Sequence, residues 1–414
     1  MRSFEDRLVD HSMRICHICS GFPPAIGGTE THNYSIVKYL SDRGHDVDVI
    51  VVRPDKKLLR QTNYDEEMID KILSKNYIIP GLEKVRVHNI FPKPILIYYQ
   101  IWKKMREIEK NGKIDVFDVH DTLFVLPLNK KRKILLSLHF FELSCPKTAP
   151  PLPCNVFSFK NCRKCIGLYR YIYWRVTRAF ALKKVSKIMV KYDFLRKKIV
   201  ASGVDDNKIV VVPHWIDTDV VRKNSIKIVD QSLKTYEYPV FGFLGRLSEF
   251  HGIALLLSAF KNFFEFTETG TLVLIGSGEL RDKIDAFCIK NGLSERVKIL
   301  GRVPYQEVHG YISLVDFFII PSTYDNYGWA LLDVMACGKP IIATNVGGTK
   351  EILTDEYNSL LAEPTIHSLT QKMKMILDDP EFAKKIAENA YATVKERHSM
   401  KNLEKYEELI RIMQ

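Results

Sequence analysis

The sequence lacks several features that mark large classes of protein. Its 414 residues hold only 8 cysteines, too few for a disulfide scaffold. It has no run of about 18 apolar residues, so no segment is predicted to span a bilayer. The first fifteen residues carry Glu5, Asp6 and Asp10 and no apolar core, unlike a secretory signal peptide. We therefore expect a cytoplasmic protein with reduced cysteines.

Acidic residues are scarce in one part of the chain. Residues 1–214 hold 38 basic and 22 acidic side chains, whereas residues 215–414 hold 23 and 27. Within the first half, residues 130–198 set 18 basic side chains against Glu142 and Asp193 alone. Such a segment attracts an anionic lipid surface, a phosphorylated substrate or nucleic acid.

The composition is otherwise that of an ordinary globular protein, with 46% hydrophobic and 27% charged residues. Short apolar runs alternate with helix-length amphipathic stretches, which is typical of parallel sheets covered by helices. A polar break at 218–239 separates two such halves. We predict an α/β protein of two doubly wound domains facing a ligand cleft, with boundaries 1–216, 217–392 and a terminal helix 393–414 that packs back on the first domain. The predicted strands are 13–20, 47–52, 85–91, 116–120, 133–139, 187–190, 208–213, 240–245, 271–276, 297–301, 317–321 and 340–344.

Two glycine-bearing loops follow predicted strands. Gly27 and Gly28 precede a helix, whose free N–H groups suit an anion, although no lysine of a P-loop follows. Arg246 follows Gly245 at a strand's carboxyl end, where open α/β sheets bind ligands and a guanidinium can hold a diphosphate. The structural alternative for Gly27 and Gly28 is a tight turn between strand and helix, and for Arg246 it is a surface side chain without a ligand.

The segment 321–353 carries two acids eight residues apart, Asp325 and Asp333. We expect Asp325 in a loop and Asp333 in the following helix, where both carboxylates could accept hydrogen bonds from sugar hydroxyls. Gly328 would let a ligand approach closely. The structural alternative for either acid is a helix N-cap or a solvated helix charge.

Five motifs occurring in order resemble the retaining, nucleotide-sugar-dependent glycosyltransferases of family 4, group 1 type, which have the two-domain GT-B fold. They are the Gly27–Gly28 loop, the SLHFFE segment with His139, VVPHWID (211–217), GRLSEFHG (245–252) and the segment from Pro321 to Gly348. The resemblance covers residues 13 to 400.

The resemblance implies roles for particular residues. His139 would face the transferred sugar, Arg246 would pair with the diphosphate, and Asp325 would contact the donor sugar, making these three the catalytic set. Asp333 would hold the ribose hydroxyls. The donor-binding set is Gly27, Gly28, His251, Gly276, Gly278, Val303, Asn326, Tyr327, Gly328 and Asp333.

Three departures from the family pattern bear on the donor. Both acids are Asp where the family usually has Glu, which shortens the reach by roughly 1.5 Å. Asn326 and Tyr327 replace a smaller, less polar pair. His251 stands where a lysine is usual, and a bound diphosphate would raise its pKa, so we expect donor binding to weaken as the pH rises from about 6 to 8.

The implied activity is that of a hexosyltransferase using a Leloir donor, with UDP- or GDP-sugars as examples. The acceptor would be a lipid-linked sugar or a glycan in glycolipid or cell-surface polysaccharide assembly. No cofactor is required for catalysis in this interpretation. A nucleotide-sugar-binding subunit without turnover and a nucleotide-sugar epimerase are the alternatives.

Four cysteines lie in an insert at 144–166, with several prolines between them. The last two form a C-x2-C pair, which suits a structural zinc site, while unrelated thiols and an iron–sulfur cluster remain alternatives. The candidate ligands are Cys145, Cys154, Cys162 and Cys165.

The stretch 168–187 interleaves aromatic and basic residues. We interpret it as a helix with its aromatic face in the core. We expect the basic residues of 130–198 to bind an anionic membrane surface, making the protein peripheral on the cytoplasmic face. Nucleic acid is not expected, since no DNA- or RNA-binding signature is present.

Overall fold

The computed structural model describes residues 12–22, 28–52, 77–78, 92–139, 143–145, 165, 167–226, 236–323 and 328–414. These residues form two units. The first comprises the described residues up to Lys191 with Leu195–Val212 and Leu403–Gln414, and the second comprises Tyr192–Phe194 and Pro213–Asn402. The boundaries from the sequence differ slightly, because they place residues 213–216 in the first domain and 393–402 in the terminal helix.

The first unit is built on a seven-stranded parallel sheet in the order β3-β2-β1-β4-β5-β6-β7. Apart from Arg14, every residue of β1 and β4 is buried, as continuous apolar strands covered on both faces should be. The strands are β1 (Arg14–Cys19), β2 (Asp46–Val51), β3 (Tyr77–Ile78), β4 (Val116–Val119), β5 (Ile134–Ser137), β6 (Lys187–Val190) and β7 (Ile209–Val211). The helices are α1 (Gly28–Asp42), α2 (Pro92–Glu109), α3 (Thr122–Val125), α4 (Leu168–Lys184), α5 (Asp193–Ala201) and, near the carboxyl terminus, α13 (Lys401–Ile412).

The second unit is built on a six-stranded parallel sheet in the order β10-β9-β8-β11-β12-β13. Its strands are β8 (Val240–Leu244), β9 (Thr271–Ile275), β10 (Val297–Gly301), β11 (Phe317–Ile320), β12 (Ile341–Thr344) and β13 (Leu360–Ala362). Its helices are α6 (Thr218–Ser225), α7 (Ile253–Thr267), α8 (Arg281–Lys290), α9 (Tyr305–Ser313), α10 (Trp329–Ala336), α11 (Ile366–Asp378) and α12 (Pro380–Arg397). Leu256, Phe260 and Phe263 recur at helical spacing on α7 and are buried in the core.

In each sheet the strand order reverses beside the unit's first strand. β1 lies between β2 and β4, and β8 lies between β9 and β11. Ligands of open α/β sheets bind at the carboxyl ends of the strands at such a reversal. The prediction of two doubly wound parallel sheets is confirmed, while the predicted strand 85–91 lies outside the described residues.

Candidate active site

In the first unit, polar side chains gather at the reversal point around Asp118. This residue lies in β4 and is paired in register with His17 of β1, so the two side chains share one face of the sheet. The carboxylate accepts hydrogen bonds from Ser137 Oγ at 2.6 Å, His120 Nε2 at 2.9 Å and Tyr406 OH at 2.8 Å. His17 Nδ1 lies 3.0 Å from the same carboxylate. Asp118 therefore anchors side chains from β1, from β5, from the residue after β4 and from α13.

His139, the predicted contact to the transferred sugar, is joined to this cluster. It follows β5 and is partly exposed, and its Nε2 atom lies 2.9 Å from Nδ1 of the buried His120. The ring of His32, on α1, packs edge-on against His139 with ring centroids 4.7 Å apart. Asp118, His120 and His139 thus form a continuous hydrogen-bonded chain, which we call the relay.

The electrostatics of the relay follow from burial and hydrogen bonding. Burial by itself would raise the pKa of Asp118, but the interactions with His120 and His17 outweigh it and hold the pKa well below its usual value. Burial lowers the pKa of His120 to about 4, so this ring is neutral at pH 7. Burial also lowers the pKa of Lys191 to about 7, against the opposing charge of Asp118. The cluster therefore pairs an ionised carboxylate with a neutral imidazole.

Metal binding was a second possibility for these histidines. One ring nitrogen each of His32, His120 and His139 lies within 4.8 Å of the others, a spacing that could hold an ion. Both nitrogens of His120 already have hydrogen-bond partners in the protein, however. The arrangement therefore favours a hydrogen-bonded network over a metal centre.

The cysteine cluster is described only in part. Cys145 is half-buried and Cys165 is exposed, while Cys154 and Cys162 lie outside the described residues. The structural zinc site therefore stays a prediction.

In the second unit, close backbone packing builds the loops after β8 and β9. A Cβ atom on Gly276 would lie 1.8 Å from the carbonyl oxygen of Gly245, and one on Gly278 would lie 2.1 Å from that of Leu247. The two loops are also hydrogen-bonded, with Leu247 N donating to Ser277 O at 3.0 Å. These contacts require Gly276 and Gly278 whether or not they also line a base pocket. The predicted donor role of these glycines, and of Val303, stays a prediction.

Arg246 and His251 occupy this glycine-built edge. Arg246 is exposed, and its Nη2 atom lies 3.2 Å from the exposed carboxylate of Glu279. His251 Nδ1 lies 2.7 Å from Ser248 Oγ. Burial, reinforced by the charge of Arg246, lowers the pKa of His251. The expected loss of donor binding between pH 6 and 8 thus depends on a bound diphosphate reversing that shift, and stays a prediction.

Asp333 lies in the first turns of α10 but is neither an N-cap nor a solvated charge, so both structural alternatives are wrong. It is buried, and its Oδ1 atom lies 2.9 Å from His309 Nε2 and accepts a hydrogen bond from Tyr305 OH at 3.1 Å. Gly328, exposed, precedes α10. Gly28 begins α1. The remaining predicted residues on these loops, Gly27, Asp325, Asn326 and Tyr327, lie outside the described residues.

Sequence reasoning missed several polar residues that the structure brings together. They are His17, Asp118, His120, Tyr406 and, in the second unit, His309. A signal existed for two of them, because Asp118 and His120 interrupt the otherwise apolar strand VFDVH at alternate positions. Tyr406 gave no such signal, since its helix is amphipathic and its partner is distant in sequence.

A pocket in the described part of the first unit lies away from this site. It has a volume of about 830 Å³ and is lined by residues such as Asp115 and Lys133, which precede β4 and β5. These are the amino-terminal ends of strands whose carboxyl ends carry His120 and His139. The pocket is therefore not part of the candidate site.

Helix α4 exposes an apolar face to solvent, although its aromatic face was expected in the core. Leu168, Ile172, Val176 and Phe180 recur every four residues and are all exposed, and we call them the α4 stripe. Tyr171 is buried, so the prediction of an aromatic face in the core holds for part of the helix and is wrong for Tyr169 and Phe180. Arg178 is engaged within the protein, where it donates to Leu143 O at 2.7 Å. In the described part of the chain, no helix is both long enough and apolar enough to cross a membrane.

Two family models match the chain, one for each half. Glycosyltransferase Family 4 matches residues 26–220, and Glycosyl transferases group 1 matches residues 224–393.

Individual relatives and structures agree with these matches. An uncharacterised glycosyltransferase of Methanocaldococcus jannaschii is 27% identical over 88% of this chain and 89% of its own length. The phosphatidyl-myo-inositol mannosyltransferase of Propionibacterium freudenreichii is 23% identical over 83% of this chain and 80% of its own. The crystal structure of Anabaena HepE in complex with UDP-glucose has a TM-score of 0.71 at 17% identity, covering 97% of this chain and all of that one.

Proposed function

Because the chain belongs to the group 1 glycosyltransferases of family 4 and has their GT-B fold, we propose that it transfers a sugar from a nucleoside-diphosphate donor with retention of anomeric configuration. The acceptor is a lipid-linked sugar or a glycan, in glycolipid or cell-surface polysaccharide assembly. The enzyme works at the cytoplasmic face of a membrane.

The placement of Arg246 carries the donor part of the proposal. It follows the glycine at the end of β8, at the reversal point of the second sheet, and its side chain is 71% exposed. An exposed ion pair with Glu279 is worth at most about 1 kcal/mol, so a diphosphate can displace that partner. A guanidinium offers two parallel donors to phosphate oxygens. The binding of UDP-glucose by Anabaena HepE supports a nucleotide-sugar donor.

The chemistry follows from the charge that develops. The bond between the anomeric carbon and the diphosphate oxygen breaks, leaving negative charge on the diphosphate and positive character on the sugar ring. Arg246 stabilises the diphosphate electrostatically. The acceptor hydroxyl oxygen forms the new bond on the same face, and its proton passes to the leaving diphosphate. His139 orients the sugar through a hydrogen bond.

The α4 stripe supports a membrane-linked acceptor. Its exposed apolar side chains adjoin the exposed cations Arg175 and Lys183. An apolar strip beside cations suits a bilayer interface with anionic lipid. The phosphatidyl-myo-inositol mannosyltransferase among the relatives supports a lipid-borne acceptor.

A donor screen tests the proposal. UDP-, GDP- and ADP-sugars are added singly, and thermal stabilisation and donor hydrolysis are measured on the same samples. We expect one donor to raise the melting temperature and to be hydrolysed slowly. Stabilisation by a nucleotide, with neither hydrolysis nor transfer to lipid-extract acceptors, would indicate a binding subunit. Conversion of one nucleotide sugar into another would indicate an epimerase.

A further inference from the structure

The C-terminal helix α13 contributes a side chain to the candidate site of the first unit. Tyr406 is fully buried and donates its hydroxyl proton to Asp118, 288 residues earlier in the chain. Its neighbour Glu407 is also buried and lies 3.1 Å from His45 Nε2 and 2.7 Å from Arg43 Nε. Adjacent residues of one helix therefore make two separate anchors, one in the relay and one outside it.

The hydrogen bonds around Asp118 determine which proton each histidine carries. An ionised carboxylate only accepts, so His120 must carry its proton on Nε2. His120 is neutral, and its Nδ1 atom therefore holds a lone pair that accepts from Nε2–H of His139. The relay therefore fixes the nitrogen through which His139 donates and the orientation of its ring, which a hydrogen bond to the donor sugar in the proposed function requires.

We propose that Tyr406 is a positioning residue of the transfer site, which together with Ser137 holds the Asp118 carboxylate so that the relay keeps His139 in its Nε2-protonated form. The proposal rests on the function proposed above. It gives α13 a role in the reaction beyond completing the first unit.

The two oxygens of the Asp118 carboxylate have different donors, and this explains how Tyr406 keeps the carboxylate oriented toward His120. Ser137 donates to Oδ1, whereas Tyr406 and His120 both donate to Oδ2. Without the Tyr406 hydroxyl, Oδ2 loses one of its fixed donors and the carboxylate can turn away from His120. His17, Lys191 and the thiols of Cys16 and Cys19 are further titratable groups that interact with Asp118.

The first test reads the protons directly and does not depend on activity. Two-bond proton–nitrogen correlation on the full-length protein labelled with ¹⁵N-histidine distinguishes the two imidazole tautomers, and a His139→Gln variant assigns the His139 signals. We expect His139 to be protonated on Nε2. A proton on Nδ1 would overturn the proposal, even if the enzyme is an active transferase.

The second test separates positioning from helix docking. Tyr406→Phe removes the relay hydroxyl, and Glu407→Gln weakens the neighbouring anchor without touching Asp118. We expect Tyr406→Phe to lower kcat by about 5- to 50-fold with the donor KM changed less than about twofold. We expect Glu407→Gln to lower the melting temperature at least as much, with kcat unchanged. In Tyr406→Phe, the His139 tautomer signal should broaden or shift.

The outcomes distinguish the two proposals. An unchanged kcat in Tyr406→Phe, or equal losses of kcat in both variants, would show that the tyrosine only docks the helix. Failure of the wild-type protein to transfer or hydrolyse any donor would overturn the proposed function. The tautomer measurement would still show whether His139 donates its Nε2 proton to His120. Should Tyr406→Phe not fold, Ser137→Ala replaces it, because it removes the other hydroxyl donor to the same carboxylate.

Discussion

The two units have the same strand-order reversal but build their ligand-binding edges from different parts of the chain. In the first unit the edge is a network of buried side chains around Asp118. In the second unit it is backbone packed against backbone, with the charged side chains of Arg246 and Glu279 exposed above it. The stability of the first unit should therefore fall when polar groups are removed from its edge. The stability of the second unit should fall when bulk is added at its glycines and should change little when a surface charge is removed.

The largest expected effect comes from adding a methyl group to the backbone-built edge. Gly276→Ala would place Cβ 1.8 Å from Gly245 O at a φ of +148°. Left-handed strain and overpacking together should lower the free energy of unfolding by at least about 3 kcal/mol. Gly338→Ala is the matched control, because Gly338 also has a positive φ but has open space around it. Its cost should be about 1 kcal/mol in urea unfolding, and equal losses would contradict the packing argument.

Removing a charge from the same edge should affect activity and leave stability nearly unchanged. Arg246→Gln should lower kcat/KM roughly 30- to 100-fold through lost stabilisation of the diphosphate. The free energy of unfolding should change by no more than about 0.5 kcal/mol, since the side chain is exposed. Glu279→Gln is the control and should keep or increase kcat/KM, because it frees the arginine. A large stability loss in Arg246→Gln would contradict the contrast between the units.

One buried histidine in each unit should make stability fall with acid. Burial lowers the pKa of His120 in the first unit, and of His398 in the second, to about 4. Unfolded histidine titrates near 6.5, so the unfolded chain binds more protons between these values and stability is lost as the pH falls from about 6.5 towards 4. Each should contribute roughly 1–2 kcal/mol between pH 7 and pH 5.

Urea unfolding at the two pH values measures this loss. His398→Gln keeps a donor for His214 O, to which His398 Nδ1 lies at 2.9 Å, and should remove about half of the combined effect. A free energy of unfolding that stays constant from pH 7 to pH 5 would be incompatible with two buried neutral histidines.

The smallest expected effect concerns the surface of the first unit. The double variant Ile172→Asn, Phe180→Asn should weaken binding to vesicles of anionic lipid about 5- to 10-fold, because two apolar side chains no longer enter the interface. Phe266→Asn changes an even more exposed aromatic residue, in the second unit, and should leave binding unchanged. Co-sedimentation at low and physiological salt measures both, and equal behaviour of the two variants would remove the membrane assignment from α4.

Much of the fold was predictable because its signals are local. Strands such as KILLSLH and TLVLIG are recognisable as continuous apolar runs, and the glycine that ends TLVLIG marks the turn that follows it. The short strands β3 and β13 escaped prediction, because two or three residues are too few to show a period. The positions of Arg246 and His139 at strand ends followed from the same local reasoning.

The partners of the polar residues were not predictable in the same way. The resemblance implied that Asp333 holds ribose hydroxyls, but no local pattern indicated that α9 packs His309 and Tyr305 against its carboxylate. The sequence also suggested a membrane role for Arg178, which instead donates to Leu143 O. In both cases the partner lies on another element, and helix packing decides which side chains meet.

By itself the sequence determined the alternating strands and helices, the glycine turns at the strand ends and the excess of positive charge in the first half, since each depends on neighbouring residues or on composition. Only the tertiary structure decided that Tyr406 meets Asp118, that the relay joins β4 to β5, and that the α4 stripe faces outward. These contacts join residues between 19 and 288 positions apart or depend on which helix face a neighbour covers. Sheet order and helix packing determine them, and neither can be deduced from a local sequence pattern.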